Sequence, residues 1–245
     1  MTLYGASCSP AIVGEAARLD PEADKRRLDE LVLTADRLSG KDTKADQGTW
    51  RHTLTEHADK GLPLPAGASR ADLDDLAAYL LTTARLTHLA VETFVVIPEL
   101  AAAGTADRLA HVDARTPDGE DAGIVVADIK TGRLDYGIAK IEAQLASYSR
   151  GRKYDHRRFP VDTTDPRGFA AWKKTARTAE EAAAAYGPLP DVNQQWGLVI
   201  HLPTGKARCD LYWADLRSGW ANAQFASAIR ASRRMRPKLV PAALK

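Results

Sequence analysis

The sequence predicts an α/β fold in which a mixed central β-sheet is flanked by helices. Residues 91 to 130 contain three successive runs rich in β-branched and aromatic residues, joined by short turns. Apolar residues recur at helical spacing on both sides of that region, and a second pair of strand-like runs lies near the C-terminus. The predicted order is therefore helix, three-strand meander, helix, two strands, helix.

The composition is that of a globular protein with a substantial core. The chain has 245 residues, of which 44% are hydrophobic and 27% are charged. We expect one core domain at residues 46–245, preceded by an N-terminal helical extension at residues 1–45. The net charge of +2 is too small to indicate a nucleic-acid partner by itself.

Membrane insertion and cysteine-based sites are not expected. No segment has the roughly 18 consecutive apolar residues that a membrane helix requires, and the start MTLYGASCSP lacks the features of a signal peptide. A cytoplasmic location is therefore predicted. Cys8 and Cys209 are too few for a disulfide framework or a four-cysteine metal site, and we expect both to be reduced thiols.

The region before the strands is predicted to be mainly helical. A first helix spans Asp20 to Leu38, because its Asp-Pro start supplies a cap and suits the first turn. The polar segment Lys41 to Gln47 is predicted to be a loop. A short helix follows at Gly48 to Gly61, and His52 and Glu56 share one of its faces because they lie four residues apart.

A capping box marks the start of the next helix. Ser69 and Asp72 have the spacing at which each side chain bonds the other residue's backbone N–H. The helix is predicted to run to about Leu89. Five apolar residues are predicted to form its buried stripe: Leu73, Leu76, Ala77, Leu80 and Leu81.

Three strands are predicted to form a meander. The first begins at Val91 and stops at Pro98, the second is AAAGTADRLAHVDA, and the third is GIVVADIK, which follows the polar turn TPDGEDAG. The third run is almost continuously apolar, which is typical of a central strand that is buried on both faces.

The remaining elements are two helices and a hairpin. A helix is predicted from about Asp135 to Ser149, with four residues facing the core or a cleft: Ile138, Ile141, Leu145 and Tyr148. A basic cluster follows. The runs WGLVIHLP and ARCDLYWADL form a hairpin around Pro203-Thr204-Gly205, and a last helix covers Ser218 to Met235.

The third strand ends in a pattern that suits phosphodiester chemistry. Asp128 and Lys130 lie two residues apart and therefore point to the same face of the strand. Asp107, on the neighbouring strand, pairs with Asp128 to make an oxygen-rich site for Mg²⁺ or Mn²⁺, and the Ile129 carbonyl offers a third oxygen. A metal activates bound water, and Lys130 stabilises the charge that develops on the phosphate.

Four short motifs in a fixed order give the chain a family resemblance. They are G-x-x-x-H at Gly48 to His52, G-x-x-D at Gly104 to Asp107, D-x-K-T-G at Asp128 to Gly132, and Q-x-x-x-Y at Gln144 to Tyr148. In this the chain resembles the RecB-like branch of the PD-(D/E)xK nuclease superfamily. The resemblance covers roughly Gly48 to Gly151 and implies a restriction-endonuclease-like core within residues 46–245.

The resemblance implies a role for each matched residue. His52, Asp107, Asp128 and the Ile129 carbonyl would bind Mg²⁺ or Mn²⁺. Lys130 would be the catalytic lysine, and Gln144 with Tyr148 would orient Lys130 or the DNA. Two glutamates remain open: Glu56 is better explained as an exposed helix residue, and Glu92 is either a site residue or an edge residue.

Members of this family that bind an iron–sulfur cluster use four cysteines, so no cluster is expected in a chain with two. Phosphate contacts are predicted for the first basic cluster, chiefly for five residues: Arg150, Arg152, Lys153, Arg157 and Arg158. Interleaved aromatic residues would stack on unpaired bases, namely Tyr154, Phe159 and Trp172. A solvated surface is the alternative interpretation of this cluster.

The resemblance implies a metal-dependent deoxyribonuclease, preferably an exonuclease of the phage or CRISPR-associated type, acting in recombination, repair or phage DNA metabolism. The compartment would be the cytoplasm of a bacterium or of a phage-infected host. Because no sequence-reading motif is evident, DNA ends or single strands are the expected substrates. A homo-oligomer or a recombination partner protein is compatible with this function. The alternatives are an inactive nuclease-like DNA-binding or assembly module and a structure-specific endonuclease.

Overall fold

The computed structural model describes residues 10–20, 23–38, 41–135, 137–154, 165–173 and 186–235. The chain divides into two compact units, residues 1–54 and residues 55–245. The predicted domain boundary after residue 45 stays a prediction. No helix in the described part of the chain combines the length and apolar character needed to cross a bilayer.

The N-terminal unit contains two short helices and the beginning of a third. Helix α1 spans Pro10–Ala16 and helix α2 spans Lys25–Leu38. Leu31 and Ala35 of α2 pack with Ile12 of α1 in a small core of their own. The predicted first helix therefore begins five residues later than its Asp-Pro start, and Pro21 lies outside the described residues.

Helix α3 spans Lys41–Asp59, so the predicted loop at Lys41 to Gln47 is wrong. This segment is polar, but Lys, Ala and Gln have high intrinsic helix propensity. Gly48 lowers the stability of a helix without ending it. Polarity was therefore a poor guide here, and the predicted short helix is the C-terminal part of a longer one.

Helix α4 spans Arg70–Thr83 and begins with the predicted capping box. The Asp72 N–H donates to Ser69 Oγ at 3.2 Å, and the Ser69 N–H donates to Asp72 Oδ2 at 2.8 Å. The helix ends at Thr83 and not near Leu89, because the chain from Leu86 onward pairs with a neighbouring strand.

The predicted buried stripe of α4 is wrong apart from Leu76. Leu73, Leu80 and Leu81 are exposed, and Ala77 is exposed as well. The inward face is largely polar and consists of Asp72, Asp75, Leu76, Tyr79 and Thr83.

Specific hydrogen bonds explain this inward polar face. Both carboxylate oxygens of Asp75 accept backbone N–H groups of the turn at residues 205–207, at 2.7 to 3.0 Å. The Tyr79 hydroxyl donates to Asp59 Oδ2 at 2.6 Å. Buried polar groups are stable when they are bonded in this way, and apolar periodicity alone does not detect them.

The seven strands form one mixed sheet in the order β5-β4-β1-β2-β3-β6-β7. Their bounds are β1 Leu86–Ile97, β2 Ala102–Arg115, β3 Asp121–Lys130, β4 Arg152–Tyr154, β5 Tyr186–Gly187, β6 Trp196–His201 and β7 Asp210–Asp215. Every neighbouring pair is antiparallel except β3 with β6, which is parallel. The predicted meander, hairpin and mixed sheet are confirmed.

Two strands were missed, and one begins earlier than predicted. Strands β4 and β5 have three and two residues, too few to show alternation, and β4 is held by pairing with Val95 and Val96 of β1. Strand β1 begins at Leu86 and not at Val91, because residues 86 to 90 pair with the far end of β2.

Helices cover both faces of the sheet. Helix α5 spans Ile138–Ser149, α6 spans Pro166–Lys173, and α7 spans Leu216–Ser232 with Asp215 as its N-cap. On the α5 face, Ile141 and Leu145 pack against Val126 of β3, whereas the predicted inward residue Ile138 is 56% exposed. On the opposite face, Leu76 and Tyr79 of α4 share a core with Ile129. Cys209 is a free thiol, and Cys8 lies outside the described residues.

Candidate functional site

Asp128 and Lys130 lie at the end of β3 on the face covered by α5. The Lys130 ammonium nitrogen Nζ lies 2.6 Å from Asp128 Oδ2, and Asp128 is 1% exposed. Ile129 points into the core on the other face, as side-chain alternation requires. Parallel pairing with β6, which sets Asp128 opposite Val199, fixes the strand at this position.

Gln144 of α5 bonds to both members of this ion pair. Its amide nitrogen Nε2 donates to Asp128 Oδ1 at 3.0 Å, and its oxygen Oε1 accepts from Lys130 Nζ at 3.1 Å. The same amide nitrogen lies 3.3 Å from the Tyr148 hydroxyl, one helical turn away. One side chain therefore sets the distance between the carboxylate and the lysine.

Asp107 of β2 is tied to the residue between the acid and the lysine. Its oxygen Oδ2 accepts the Ile129 backbone N–H at 2.8 Å, and its side chain is buried. Asp107 and Asp128 are thus held by adjacent strands near the same strand end. We call the set Asp107, Asp128, Lys130, Gln144 and Tyr148 the acid–lysine cluster. The role of the Ile129 carbonyl as a ligand stays a prediction.

Gly104 provides the space that Tyr148 occupies. A β-carbon at position 104 would lie 2.7 Å from the Tyr148 hydroxyl oxygen and 2.8 Å from ring atom Cε1. Such distances are shorter than van der Waals contact, so any other residue would push the ring away. Burial raises the pKa of the Tyr148 phenol, and the nearby carboxylates add to this effect. Tyr148 therefore stays protonated and remains a hydrogen-bond donor.

A second acidic residue joins Asp107. One oxygen each of Glu92 and Asp107 lie within 4.8 Å of one another, and His52 lies on α3 in the N-terminal unit. Two carboxylate oxygens at this spacing could contribute to a site for a divalent metal ion. Asp128 does not belong to this group among the described residues, and it connects to it through the Asp107 bond to Ile129.

Glu92 occupies an unusual backbone conformation. Its φ is +55°, a value that non-glycine residues seldom adopt, and the register shift in the pairing of β1 with β2 lies nearby, between His88 and Ala90. Such strain costs about 1–3 kcal/mol and is frequent at functional sites. Of the two interpretations left open for Glu92, this geometry favours a site residue. Glu56, in contrast, forms an ion pair with Lys60.

Arg108, the residue after Asp107, organises a different cluster on the opposite face of the sheet. Its guanidinium is completely buried and donates to Asp59 Oδ2 at 2.5 Å and to Thr55 Oγ1 at 3.2 Å. Tyr79 and His88 also contact Asp59. We call the set Thr55, Asp59, Tyr79, His88 and Arg108 the Arg108 cluster.

The Arg108 cluster reaches the metal-binding group through Glu92. Arg108 Nη1 donates to Glu92 Oε1 at 3.4 Å and to the Asp107 carbonyl oxygen at 2.8 Å. Burial lowers the pKa of the Arg108 guanidinium, but the charge of the bonded Asp59 carboxylate raises it, and the net pKa is above normal. Arg108 is therefore a permanent cation that positions Glu92. No motif in the sequence singles out Arg108; the one signal is an arginine within an apolar strand.

The predicted DNA-binding residues fall into three groups. Arg150 lies with its guanidinium carbon 4.8 Å from the centre of the Trp220 ring and donates to the Gln194 carbonyl, and burial lowers its pKa. Arg152 and Lys153 are exposed on β4. Arg157 and Arg158 lie outside the described residues, as do Phe159 and the side chain of Trp172.

The aromatic residue Tyr154 is already packed. Its ring contacts Phe94 and Tyr186 with centroid distances of 5.7 and 5.6 Å. Its role as a stacking platform for bases stays a prediction, and so does phosphate binding by the basic residues around it.

The molecule is thus an α/β protein whose mixed sheet carries two buried acids, a lysine and a glutamine at one strand end. A scan against protein-family models found no matching family, and a search of curated proteins found no match.

Proposed function

We propose that the protein is a metal-dependent deoxyribonuclease with a restriction-endonuclease-like core of the RecB-like type. The observation that carries this proposal is the bonding of Gln144 to both Asp128 and Lys130, with Asp107 bonded to the residue between them. This arrangement joins three of the four sequence motifs in one continuous set of contacts. The fourth motif would contribute His52, which lies on α3.

The donor set fits a hard divalent cation. Carboxylate oxygens are the preferred ligands of Mg²⁺ and Mn²⁺, and Mn²⁺ also accepts an imidazole nitrogen. Asp107, Asp128, His52 and the Ile129 carbonyl would hold the ion, with Glu92 as an additional ligand. When bound, the ion supplies polarisation of the phosphoryl group and a water of lowered pKa.

The other residues of the acid–lysine cluster act on the phosphate and its surroundings. Lys130 donates to the phosphate oxygen on which charge develops, and its ammonium stabilises that charge. Gln144 fixes the lysine through its amide oxygen while its amide nitrogen holds Asp128. The Tyr148 hydroxyl oxygen accepts from Gln144 Nε2, one helical turn away, and so supports that side chain.

Exonucleolytic action on ends or single strands is the preferred form, because no sequence-reading motif was found. Recombination, repair or phage DNA metabolism in a bacterial or phage-infected cytoplasm is the corresponding biological setting.

Digestion of linear and closed circular DNA with Mg²⁺ or Mn²⁺ tests the reaction. Linear DNA should be degraded and the circle left intact. Cutting of the circle would support a structure-specific endonuclease, and no cutting of either would support an inactive module.

The site assignment is tested by Lys130→Met, with Lys206→Met as a matched control. Lys206 is exposed on the turn between β6 and β7, so its loss should leave cleavage unchanged. Loss of Lys130 should reduce cleavage about 10²- to 10³-fold, the size expected for removing one stabiliser of transition-state charge. Full activity of Lys130→Met would overturn the assignment.

A further inference from the structure

A groove of about 360 Å³ lies between α5 and α7, next to the acid–lysine cluster. It is lined by small and apolar residues from both helices, from the segment that joins β1 to β2 and from the start of β2, among them Leu100, Ala102, Ala143 and Ala226. Two cations, Lys140 and Arg230, line the same groove. An apolar floor with cations at its side suits a ligand that has both an apolar face and a negative charge.

Gln144 connects this groove to the candidate site. It lines the groove while its amide contacts Lys130 and Asp128. A ligand that fills the groove would therefore contact Gln144, and Gln144 is bonded to the residues proposed to act on the phosphate. The groove has no part in the metal-binding group or in the predicted basic cluster.

The two helices that form the groove are in direct backbone contact. Gly219 of α7 packs directly against the backbone of Glu142 on α5, with no room for a β-carbon. Farther along α7, at Ala223 and Ala226, the small side chains leave the space that forms the groove. The spacing of the two helices that border the groove is thus set by a backbone contact.

The two cations are available to an anion in different ways. Among the described residues, Lys140 has no hydrogen-bond or ion-pair partner, and it is exposed. Arg230 is anchored, because its Nη2 donates to the carbonyl oxygens of Leu100 and Ala101. A guanidinium has five N–H donors, so the Nε and Nη1 donors of Arg230 remain for a phosphate.

We propose that this groove binds the nucleotide adjoining the scissile phosphodiester of a single DNA strand. The base lies on the floor of Leu100, Ala143 and Ala226, and the neighbouring phosphate lies between Lys140 and Arg230. A duplex keeps its bases paired and stacked inside, so an unpaired base is required to reach this floor. The groove therefore confers preference for single strands. This inference rests on the proposed function.

The test is binding of a short fluorescent oligothymidylate to the full chain, measured by anisotropy with Ca²⁺ in place of the catalytic cation. Ala226→Trp fills the groove and Lys140→Glu reverses one charge. Each should raise the Kd about tenfold, the effect of losing one stacked base or phosphate contact. The matched controls are Ala228→Trp, exposed on another face of α7, and Lys206→Glu, and both should stay within about twofold of wild type.

The outcomes separate this inference from the proposed function. Hydrolysis of bis(p-nitrophenyl) phosphate, a small diester without a base, by the wild-type chain with Mn²⁺ reports the chemistry alone. If that diester is hydrolysed but Ala226→Trp and Lys140→Glu bind the strand like wild type, the groove assignment is overturned and the function stands. If wild type neither hydrolyses the diester nor binds the strand, both fall.

Two further results bear on the groove. If Ala226→Trp does not fold, as judged by circular dichroism, Lys140→Glu decides the question against Lys206→Glu. If both groove variants weaken binding of a blunt duplex as much as binding of the single strand, the preference for single strands is overturned.

Discussion

Asp107 and Arg108 are neighbours on β2, yet they belong to two polar clusters of opposite character. In the Arg108 cluster the single carboxylate, Asp59, is matched by the arginine and receives the Tyr79 hydroxyl as well. Near Asp107, three carboxylates are gathered, those of Glu92, Asp107 and Asp128, and Lys130 is the cation bonded within the acid–lysine cluster.

The Arg108 cluster and the carboxylates near Asp107 show two different uses of buried charge on the two faces of one sheet. The Arg108–Asp59 ion pair is buried and hydrogen-bonded, so removal of one partner mainly affects folding. A gathering of carboxylates with too little positive charge repels itself and is relieved by a cation. We therefore propose that the Arg108 cluster is structural and that a metal ion, if it binds, stabilises the folded state on the acidic side.

The largest expected effect is the loss of stability caused by Arg108→Met. The substitution leaves Asp59 buried without its cation, which should cost about 3–5 kcal/mol of unfolding free energy. Urea denaturation measures this cost. Arg208→Met is the matched control, because Arg208 forms an exposed ion pair with Asp210, and it should change stability by less than about 1 kcal/mol. Equal effects of the two variants would remove the distinction between the clusters.

The second prediction concerns the response to a metal ion. Mn²⁺ at about 100 times its Kd should raise the unfolding free energy by about 2.7 kcal/mol, because it binds the folded chain. Asp107→Asn should abolish this increase, whereas Asp113→Asn, an exposed acid on the same strand, should retain it. Differential scanning fluorimetry with and without Mn²⁺ measures it. An unchanged response in Asp107→Asn would exclude that residue as a ligand.

The third prediction concerns the close contact between Gly104 and Tyr148. Gly104→Ala should destabilise the fold by about 1–3 kcal/mol, because the added methyl group displaces a packed ring. It should also lower cleavage, because Tyr148 supports Gln144. Gly187→Ala is the control, since a β-carbon there meets no atom within 4 Å. Tyr148→Phe should restore part of the lost stability by removing the closest atom, and thermal melts of the double variant measure this recovery.

The smallest effect is expected from pH. Burial lowers the pKa of His88 from its ordinary 6.5, and its ring nitrogen Nδ1 is buried without a hydrogen-bond partner in the described chain. As the pH falls below about 6.5, His88 is therefore protonated in the unfolded state before it is protonated in the folded state. The free energy of unfolding consequently decreases on acidification. His88→Gln should flatten the pH dependence of the melting temperature between about pH 7 and pH 5.5. A profile as steep as that of wild type would contradict this role of His88.

The sequence predicted those parts of the fold that depend on short-range signals. The meander, the hairpin and the capping box each arise from neighbouring residues, whose alternation or spacing is visible in a single chain. The same holds for Asp128 with Lys130 and for Gln144 with Tyr148, because strand and helix periodicity place each pair on one face.

Long-range contacts could not be predicted in this way. The inward face of α4 is polar because Asp75 receives N–H groups from a turn more than a hundred residues later. Strands β4 and β5 form because the edge of β1 that does not face β2 is free to pair with β4. Arg108 was missed because its partners Asp59 and Glu92 come from two other elements, and propensity does not report such partnerships.

The parallel pairing of β3 with β6 determines when β3, which carries Asp128 and Lys130, becomes a central strand. Strand β2 lies one short turn away from β3 along the chain, but β6 follows only after α5, β4, α6 and β5. Contacts between distant segments form late, because the entropy of closing the intervening loop opposes them. During synthesis, Asp128 and Lys130 therefore acquire their final surroundings only once the C-terminal hairpin has emerged and docked, so a nascent chain carries these residues before β3 has both of its neighbouring strands.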